Sequence, residues 1–302
     1  MPSQTRPDFT LPPHWRLDAI YATERPHHPQ VSPKGDAICF ILSAAATSDV
    51  YVVSMSGGQA ARLTTDRQLA SYWEDSAPLW SPDGTRIACS SGEDVLVVPV
   101  GGGPTHRIQD AALGCWHEDD SLVVVVERNR RSRLAIVEVD DPWPRPFGPR
   151  DGDVGQVRAT GDGRVLATYW PRSNFNESRI VVATPGGDWE SLVSLEDRRA
   201  VDSAIYGNDV VYAAEDGDWR AIFLTDLSGT SHRLLASAEA DFGELAWSPD
   251  GAKIAAIRTA RGTGDLVTVD RDGHVDEVAA GGFWQSPGWA GEQLVAIEEA
   301  HD

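Results

Sequence analysis

The chain has 302 residues, and its 46 Asp and Glu outnumber its 26 Lys and Arg, giving a formal net charge of −20 at pH 7. This balance argues against a nucleic-acid partner, which requires a basic surface, and against anionic membranes. No apolar run approaches the ~18 residues of a membrane span, the first residues lack the apolar core of a signal peptide, and only three cysteines occur, so we expect a cytoplasmic protein with reduced thiols.

The chain divides into an N-terminal segment, residues 1–26, and a repetitive region, residues 27–302. In the N-terminal segment we expect either a short helix over residues 14–23 or a strand over residues 15–22. Such a strand would complete the last unit of the repetitive region.

The repeated pattern is a tight turn followed by an apolar run rich in β-formers. It reads Ser-Pro-Lys-Gly at 32–35 and Trp-Ser-Pro-Asp-Gly at 80–84 and 247–251. In such a turn Pro presets φ, Asp bonds to its own backbone and Gly supplies a positive φ. With degenerate copies included, the turn tips fall at Gly35, Gly84, Asp120, Gly163, Asp209, Gly251 and Glu292, about 43 residues apart. Four-stranded propeller blades have this period.

We therefore predict an all-β fold, a β-propeller of four-stranded blades. Seven turn tips favour seven blades, the last incomplete with two strands before Asp302, and six blades is the alternative. An open ring leaves a strand edge, so either the N-terminal segment supplies a strand, or the natural chain continues past Asp302, or the protein self-associates through the open blade. The Trp that precedes a turn is expected to pack between adjacent blades.

The sequence lacks four common motifs for catalysis, cofactor binding and metal binding. It contains no Gly-x-Ser-x-Gly elbow, no His-Glu-x-x-His, no Cys-x-x-Cys, and no phosphate-binding Gly-rich loop before a helix. Acidic clusters at 151–153 and 215–218 lack the spacing of an EF-hand and are expected to be solvated turns. We therefore predict no catalytic residue, no cofactor and no metal ligand in this chain.

Two polar-aromatic loops are the candidate substrate-binding positions. Trp73, Glu74 and Asp75 precede the first strand of the second blade, where an aromatic ring beside two carboxylates could hold a cationic group such as a peptide amino terminus. An ordinary connecting loop is the alternative. Arg172 and Asn174 lie in a long hairpin that is predicted to be either a recognition loop or the cover of a strand edge.

Several of these motifs, in their order along the chain, resemble those of a known protein family. Trp-Ser-Pro-Asp-Gly at 80–84, the strand pair around Gly57-Gly58 and Arg62-Leu63-Thr64 resemble the propeller repeat of prolyl oligopeptidase-type serine peptidases and of Tol-system propellers. The opening, residues 15–35, looks like the start of acylaminoacyl-peptidase and dipeptidyl-peptidase-like members. The ending, residues 294–302, looks like the middle of a blade.

The resemblance implies a role for this chain, but the chain also differs from the family in one respect. In that family a separate α/β-hydrolase domain carries the Ser, Asp and His triad, and the propeller admits short peptides while excluding folded proteins. This chain has no position onto which the triad can be carried. The expected function is therefore a non-catalytic, substrate-gating propeller whose partners are peptides and a hydrolase domain or chain. The alternatives are a stand-alone Tol-like propeller that binds partner proteins and a metal-dependent propeller enzyme such as a lactonase.

Overall fold

Each described strand pairs antiparallel with its neighbour along the chain within a blade, so the fold is a succession of meanders. The structure, a computed structural model, describes residues 25–44, 47–65, 77–127, 130–174 and 176–298. Pairing groups the strands into six four-stranded sheets and one two-stranded sheet. The prediction of a propeller with a partial seventh blade is thereby confirmed for the described residues.

The first three blades contain twelve strands. Blade 1 has β1 (Arg25–Val31), β2 (Ala37–Ala44), β3 (Thr47–Ser54) and β4 (Ala61–Arg62). Blade 2 has β5 (Leu79–Trp80), β6 (Arg86–Ser91), β7 (Asp94–Pro99) and β8 (His106–Ile108). Blade 3 has β9 (Ala111–Glu118), β10 (Ser121–Glu127), β11 (Ser132–Glu138) and β12 (Asp141–Phe147).

The remaining blades follow the same order. Blade 4 has β13 (Gly152–Ala159), β14 (Val165–Pro171), β15 (Ser178–Ala183) and β16 (Trp189–Leu195). Blade 5 has β17 (Ala200–Tyr206), β18 (Asp209–Asp216), β19 (Trp219–Asp226) and β20 (Ser231–Leu235). Blade 6 has β21 (Asp241–Trp247), β22 (Lys253–Ala260), β23 (Thr263–Asp270) and β24 (Val275–Ala279), and blade 7 has β25 (Trp284–Ala290) and β26 (Gln293–Glu298).

The Ser-Pro-Asp-Gly turn forms as its residue types predict. Ser81 Oγ donates to Asp83 Oδ1 at 2.6 Å and accepts from the Arg86 amide at 2.9 Å, while Gly84 takes φ +74°. Hydrogen bonds from Ser81 and Thr85 lower the pKa of Asp83 to about 2. The same Ser-to-Asp bond recurs in blade 6 at 2.7 Å, so one local device starts the second strand in separate blades.

The core lies between blades. Successive residues of β10 point to opposite sides: Leu122 and Val124 pack against blade 2, whereas Val123 packs against blade 4. Three further sets of buried side chains fill the other interfaces from blade 1 to blade 6 in the same way. Cys39 and Cys89 are fully buried between blades 1 and 2, as expected for small apolar residues, and all three cysteines are free thiols.

Tryptophans at the ends of the first strands of blades 2, 3 and 7 bond each of these blades to the preceding one. The indole Nε1 of Trp80 donates to the Gln30 carbonyl at 3.0 Å, and that of Trp116 donates to the Leu79 carbonyl at 3.0 Å. Trp289 repeats the contact from blade 7 to blade 6, at 3.1 Å from the Ala246 carbonyl. The prediction that these rings pack between blades is confirmed, and each also supplies one directed hydrogen bond.

The first strands of the seven blades form a closed ring, here called the inner ring: β1, β5, β9, β13, β17, β21 and β25. Each contacts the next, and β25 also contacts β1. Residues 1–24 lie outside the described residues, so the predicted helix or closing strand there stays a prediction. None of the residues that the structure describes forms a helix long and apolar enough to cross a membrane.

Candidate functional site

The inner ring carries a repeated backbone irregularity. His28, Gln156, Glu244 and Ser286 take φ values of +52° to +54° in β1, β13, β21 and β25, and each lies where the pairing register of its strand shifts. A positive φ costs a non-glycine residue free energy, so neighbouring structure must hold it in place. A bulge of this kind bends the strand and turns the bulged residue away from the ladder.

Side chains of one inner strand hold the backbone of the next. Gln156 Nε2 donates to the Val201 carbonyl at 2.5 Å, and the Leu245 amide donates to Asp202 Oδ2 at 2.5 Å. The Ser286 amide donates to Glu244 Oε2 at 2.5 Å. These bonds run from blade 4 to blade 5, from blade 5 to blade 6 and from blade 6 to blade 7, in addition to the ladders within each blade.

The ring therefore carries polar groups whose positions are fixed by bonds between neighbouring strands. Thr168 Oγ1 donates to Gln156 Oε1 at 2.7 Å, which orients that amide, and Arg158 lies 3.8 Å from the Asp202 carboxylate. Such groups can bind amides and charges of an extended chain. The thiol on this ring, Cys115, is buried, and burial raises its pKa to about 12, so it is not an activated nucleophile.

Of the two loops predicted to bind substrate, one lies outside the described residues and the other is described. Trp73, Glu74 and Asp75 lie outside the described residues. Arg172 follows β14, and its guanidinium donates to the Arg130 carbonyl of the neighbouring blade 3 hairpin. Asn174 Oδ1 accepts from the Asn176 amide at 3.1 Å and so shapes the exposed β14–β15 turn. Substrate binding by these residues stays a prediction.

Three buried carboxylates were missed by the sequence analysis. Asp49, Asp94 and Asp265 stand near the start of the third strand of blades 1, 2 and 6. Asp94 accepts from Arg107 Nε at 2.7 Å and from the amide that leads into blade 3 at 3.1 Å, and Asp265 accepts from the Gly281 amide at 2.8 Å. The sequence signal for them is an Asp placed directly before a run rich in Val and Leu.

One group of side chains within the described part has metal-ligand geometry. Asp270, Asp272 and His274 place a ligand atom each within 4.8 Å of one another in the β23–β24 turn. Asp270 Oδ1 already accepts from the amides of Asp272 and His274, both at 2.9 Å, and Asp270 Oδ2 lies 3.0 Å from His274 Nδ1. These bonds are those of an ordinary Asx turn.

Comparison with known proteins connects this architecture to peptidases. No family model matches the chain. Over 233 residues it is 29% identical to Tricorn protease homolog 1 of Streptomyces coelicolor, covering 70% of this chain and 20% of that protein. A puromycin-hydrolyzing peptidase of Mycobacterium tuberculosis superposes with a TM-score of 0.72 at 16% identity, covering 92% of this chain and 49% of that one. The chain has the propeller fold of these peptidases.

A solved propeller domain matches along almost its whole length. The β-propeller domain of the Trilobed protease from Pyrococcus furiosus gives a TM-score of 0.69 at 16% identity, covering 91% of this chain and 89% of that domain. The resemblance inferred from the repeat is thus confirmed at the level of the fold. The chain spans a fifth of the Streptomyces protein and about half of the Mycobacterium peptidase.

Proposed function

We propose that this chain is the gating propeller of a serine peptidase, which filters peptides toward a hydrolase domain or a separate hydrolase chain. The observation that carries the proposal is the inner ring, whose strands are cross-linked by Gln156, Asp202 and Glu244. A rigid ring admits an extended chain and rejects a folded protein by size. The fold shared with peptidase propellers and the identity to a Tricorn protease homolog support the same function.

The mechanism we propose is steric selection followed by polar contacts. Groups fixed on the ring, among them Arg158, offer hydrogen bonds to the amides of a passing peptide. Arg172 and Asn174 lie on the β14–β15 hairpin, next to Gly152, the first residue of the inner strand β13. We propose that these two residues contact substrate, together with Trp73, Glu74 and Asp75. Location in the cytoplasm, with free thiols, is part of this proposal.

The first test uses the gene product isolated from its source cells. We expect a fluorophosphonate probe to label it, either on a chain longer than 32.7 kDa or on a co-purifying hydrolase. A product of 32.7 kDa that is unlabelled and has no labelled companion contradicts the proposal and favours the Tol-like, partner-binding alternative.

The second test uses a variant of the same complete protein in which a bulky side chain is added to the inner ring. Gly243 lies on the inner strand β21, and a Cβ there would meet no heavy atom within 4 Å, so Gly243→Trp is chosen to add a bulky side chain to the ring. We expect a several-fold loss of kcat/KM for long peptides, with labelling by the small probe unchanged. Gly101→Trp, at an equally open glycine in the β7–β8 turn, is the matched control and should change neither. Equal turnover of long peptides by both variants would rule out the ring as the route.

A further inference from the structure

A second surface of the molecule lies between blades 2 and 3, beside the start of the inner strand β9. It is a groove of roughly 940 Å³, floored by Ala111, Ala112 and Val125 and bordered by Trp143. The Trp143 side chain is 77% exposed, the most of any large apolar side chain in the described part of the chain. Single exposed apolar residues are common on surfaces, but an indole at the lip of a concave groove is placed to contact a ligand.

The strand that carries Trp143 cannot receive another strand. In β12, prolines occupy positions 142, 144 and 146. β12 pairs with β11 through Asp141, Arg145, Pro146 and Phe147, and the register shifts across residues 142–144. Proline has no amide donor, so β12 lacks donors at three alternate positions, and we expect a partner to bind here through side chains instead of strand addition.

The groove is acidic and its carboxylates are available. Glu93, Asp110, Glu127 and Asp141 line it, all exposed, and none forms an ion pair or a side-chain hydrogen bond with another described residue. Its one basic lining residue, Arg107, is held in an ion pair with the mostly buried carboxylate of Asp94. Beside the groove, Arg145 is neutralised by Glu138 at 2.7 Å. The surface thus offers four unpaired negative charges next to an indole face.

We propose that this surface, the Trp143 groove, docks an extended cationic segment, rich in Arg or Lys, of a partner protein. Carboxylates attract the guanidinium or ammonium groups, and the Trp143 ring receives one of them by a cation–π contact. The length of the groove, which runs from Glu93 on the β6–β7 turn to Asp141 at the start of β12, suits a segment of several residues better than one small molecule. This docking is independent of the gating function, because it involves no residue of the polar ring contacts.

The test measures the binding of fluorescein-labelled hexa-arginine by anisotropy at two salt concentrations, with hexa-glutamate as the negative probe. For Trp143→Ala we expect affinity to fall about threefold to thirtyfold, with Trp143→Tyr restoring most of it. Glu93→Gln with Glu127→Gln should weaken binding by at least tenfold and flatten the salt dependence. Since these side chains are exposed, melting temperatures should stay close to wild type.

Matched controls separate this site from the general attraction of a −20 chain for polycations. Trp189→Ala alters a 38% exposed indole on the outer strand of blade 4, and Glu118→Gln with Glu292→Gln removes two exposed charges elsewhere. We expect less than a twofold change for both. Equal losses in groove and control variants, or an unaltered affinity of Trp143→Ala, would overturn the proposal. Competition by free arginine as effective as hexa-arginine would indicate a small-molecule site and would also overturn it.

Discussion

The bulge in the first strand of blade 3 makes a sharp prediction about one glycine. Gly114 is the extra residue of β9 opposite Val123 and Val124. A Cβ at Gly114 would lie 2.5 Å from the Val123 carbonyl oxygen and 3.2 Å from Val157 Cβ. The first atom belongs to the backbone of the paired strand, so no rotamer change relieves the overlap. The glycine is therefore required by close approach of two strands, and Gly114→Ala should destabilise the propeller.

The magnitude follows from the size and place of the overlap. Ordinary contact begins at 3.4 Å, so the β10 backbone must shift by about 1 Å, and Val123 and Val157 are 0% and 3% exposed. Overpacking of this kind costs about 1–3 kcal/mol. Gly243→Ala is the matched control, because it also lies beside a bulge of an inner strand but meets no atom within 4 Å. It should be neutral, or stabilising by about 0.4–1 kcal/mol through the unfolded state.

Equilibrium unfolding in urea, followed by tryptophan fluorescence, measures both variants against wild type. For a chain of this size each kcal/mol corresponds to a shift of about 2 °C in Tm, so thermal melting provides a second readout. The reasoning fails if Gly114→Ala lies within about 0.5 kcal/mol of wild type, or if Gly243→Ala loses as much stability as Gly114→Ala.

Three further predictions concern the contacts between blades. Trp116→Phe, which keeps the ring and loses the indole donor to blade 2, should cost about 1–2 kcal/mol in urea unfolding, whereas Trp189→Phe on an outer strand should cost almost nothing. Burial lowers the pKa of His27 from 6.5 to about 4, so the unfolded chain binds more protons between these values and stability should fall as pH drops through this window; a His27→Gln variant with the same pH profile as wild type would contradict this. Glu244→Ala removes the acceptor of the Ser286 amide, and amide hydrogen exchange in β25 should accelerate about tenfold. Unchanged exchange rates would show that this bond does not stabilise β25.

Local chemistry made the architecture predictable. The Ser-Pro-Asp-Gly turn specifies its own conformation through Ser81 and Asp83, and its period of about 43 residues favours seven blades. The large apolar ring of the Trp before the turn is buried by packing between adjacent blades, so its position was predictable as well. These features depend on residues within a few positions of one another, so sequence alone reveals them.

The candidate site was not predictable in the same way. The bulges at Gln156 and Glu244 arise from residues with no preference for a positive φ, and they are held by partners more than 40 residues away. The buried role of Asp94 depends on Arg107 and on an amide of the next blade. In a chain with 46 acidic residues, nothing local separates such an Asp from those in solvated turns.

The way in which the ring closes has a consequence for the order of folding. Within the described residues, blade 1 contains strands β1 to β4 and blade 7 contains β25 and β26, so no described strand pairs across the junction of blades 7 and 1. Strand pairing within a blade and packing on the preceding blade both use residues close in sequence, so the blades can be added in order as the chain leaves the ribosome. The long-range step is then the docking of β25 on β1. This step closes a loop of about 250 residues, and the entropy cost of loop closure falls on it. Folding should thus end with a single slow phase in which preformed surfaces meet.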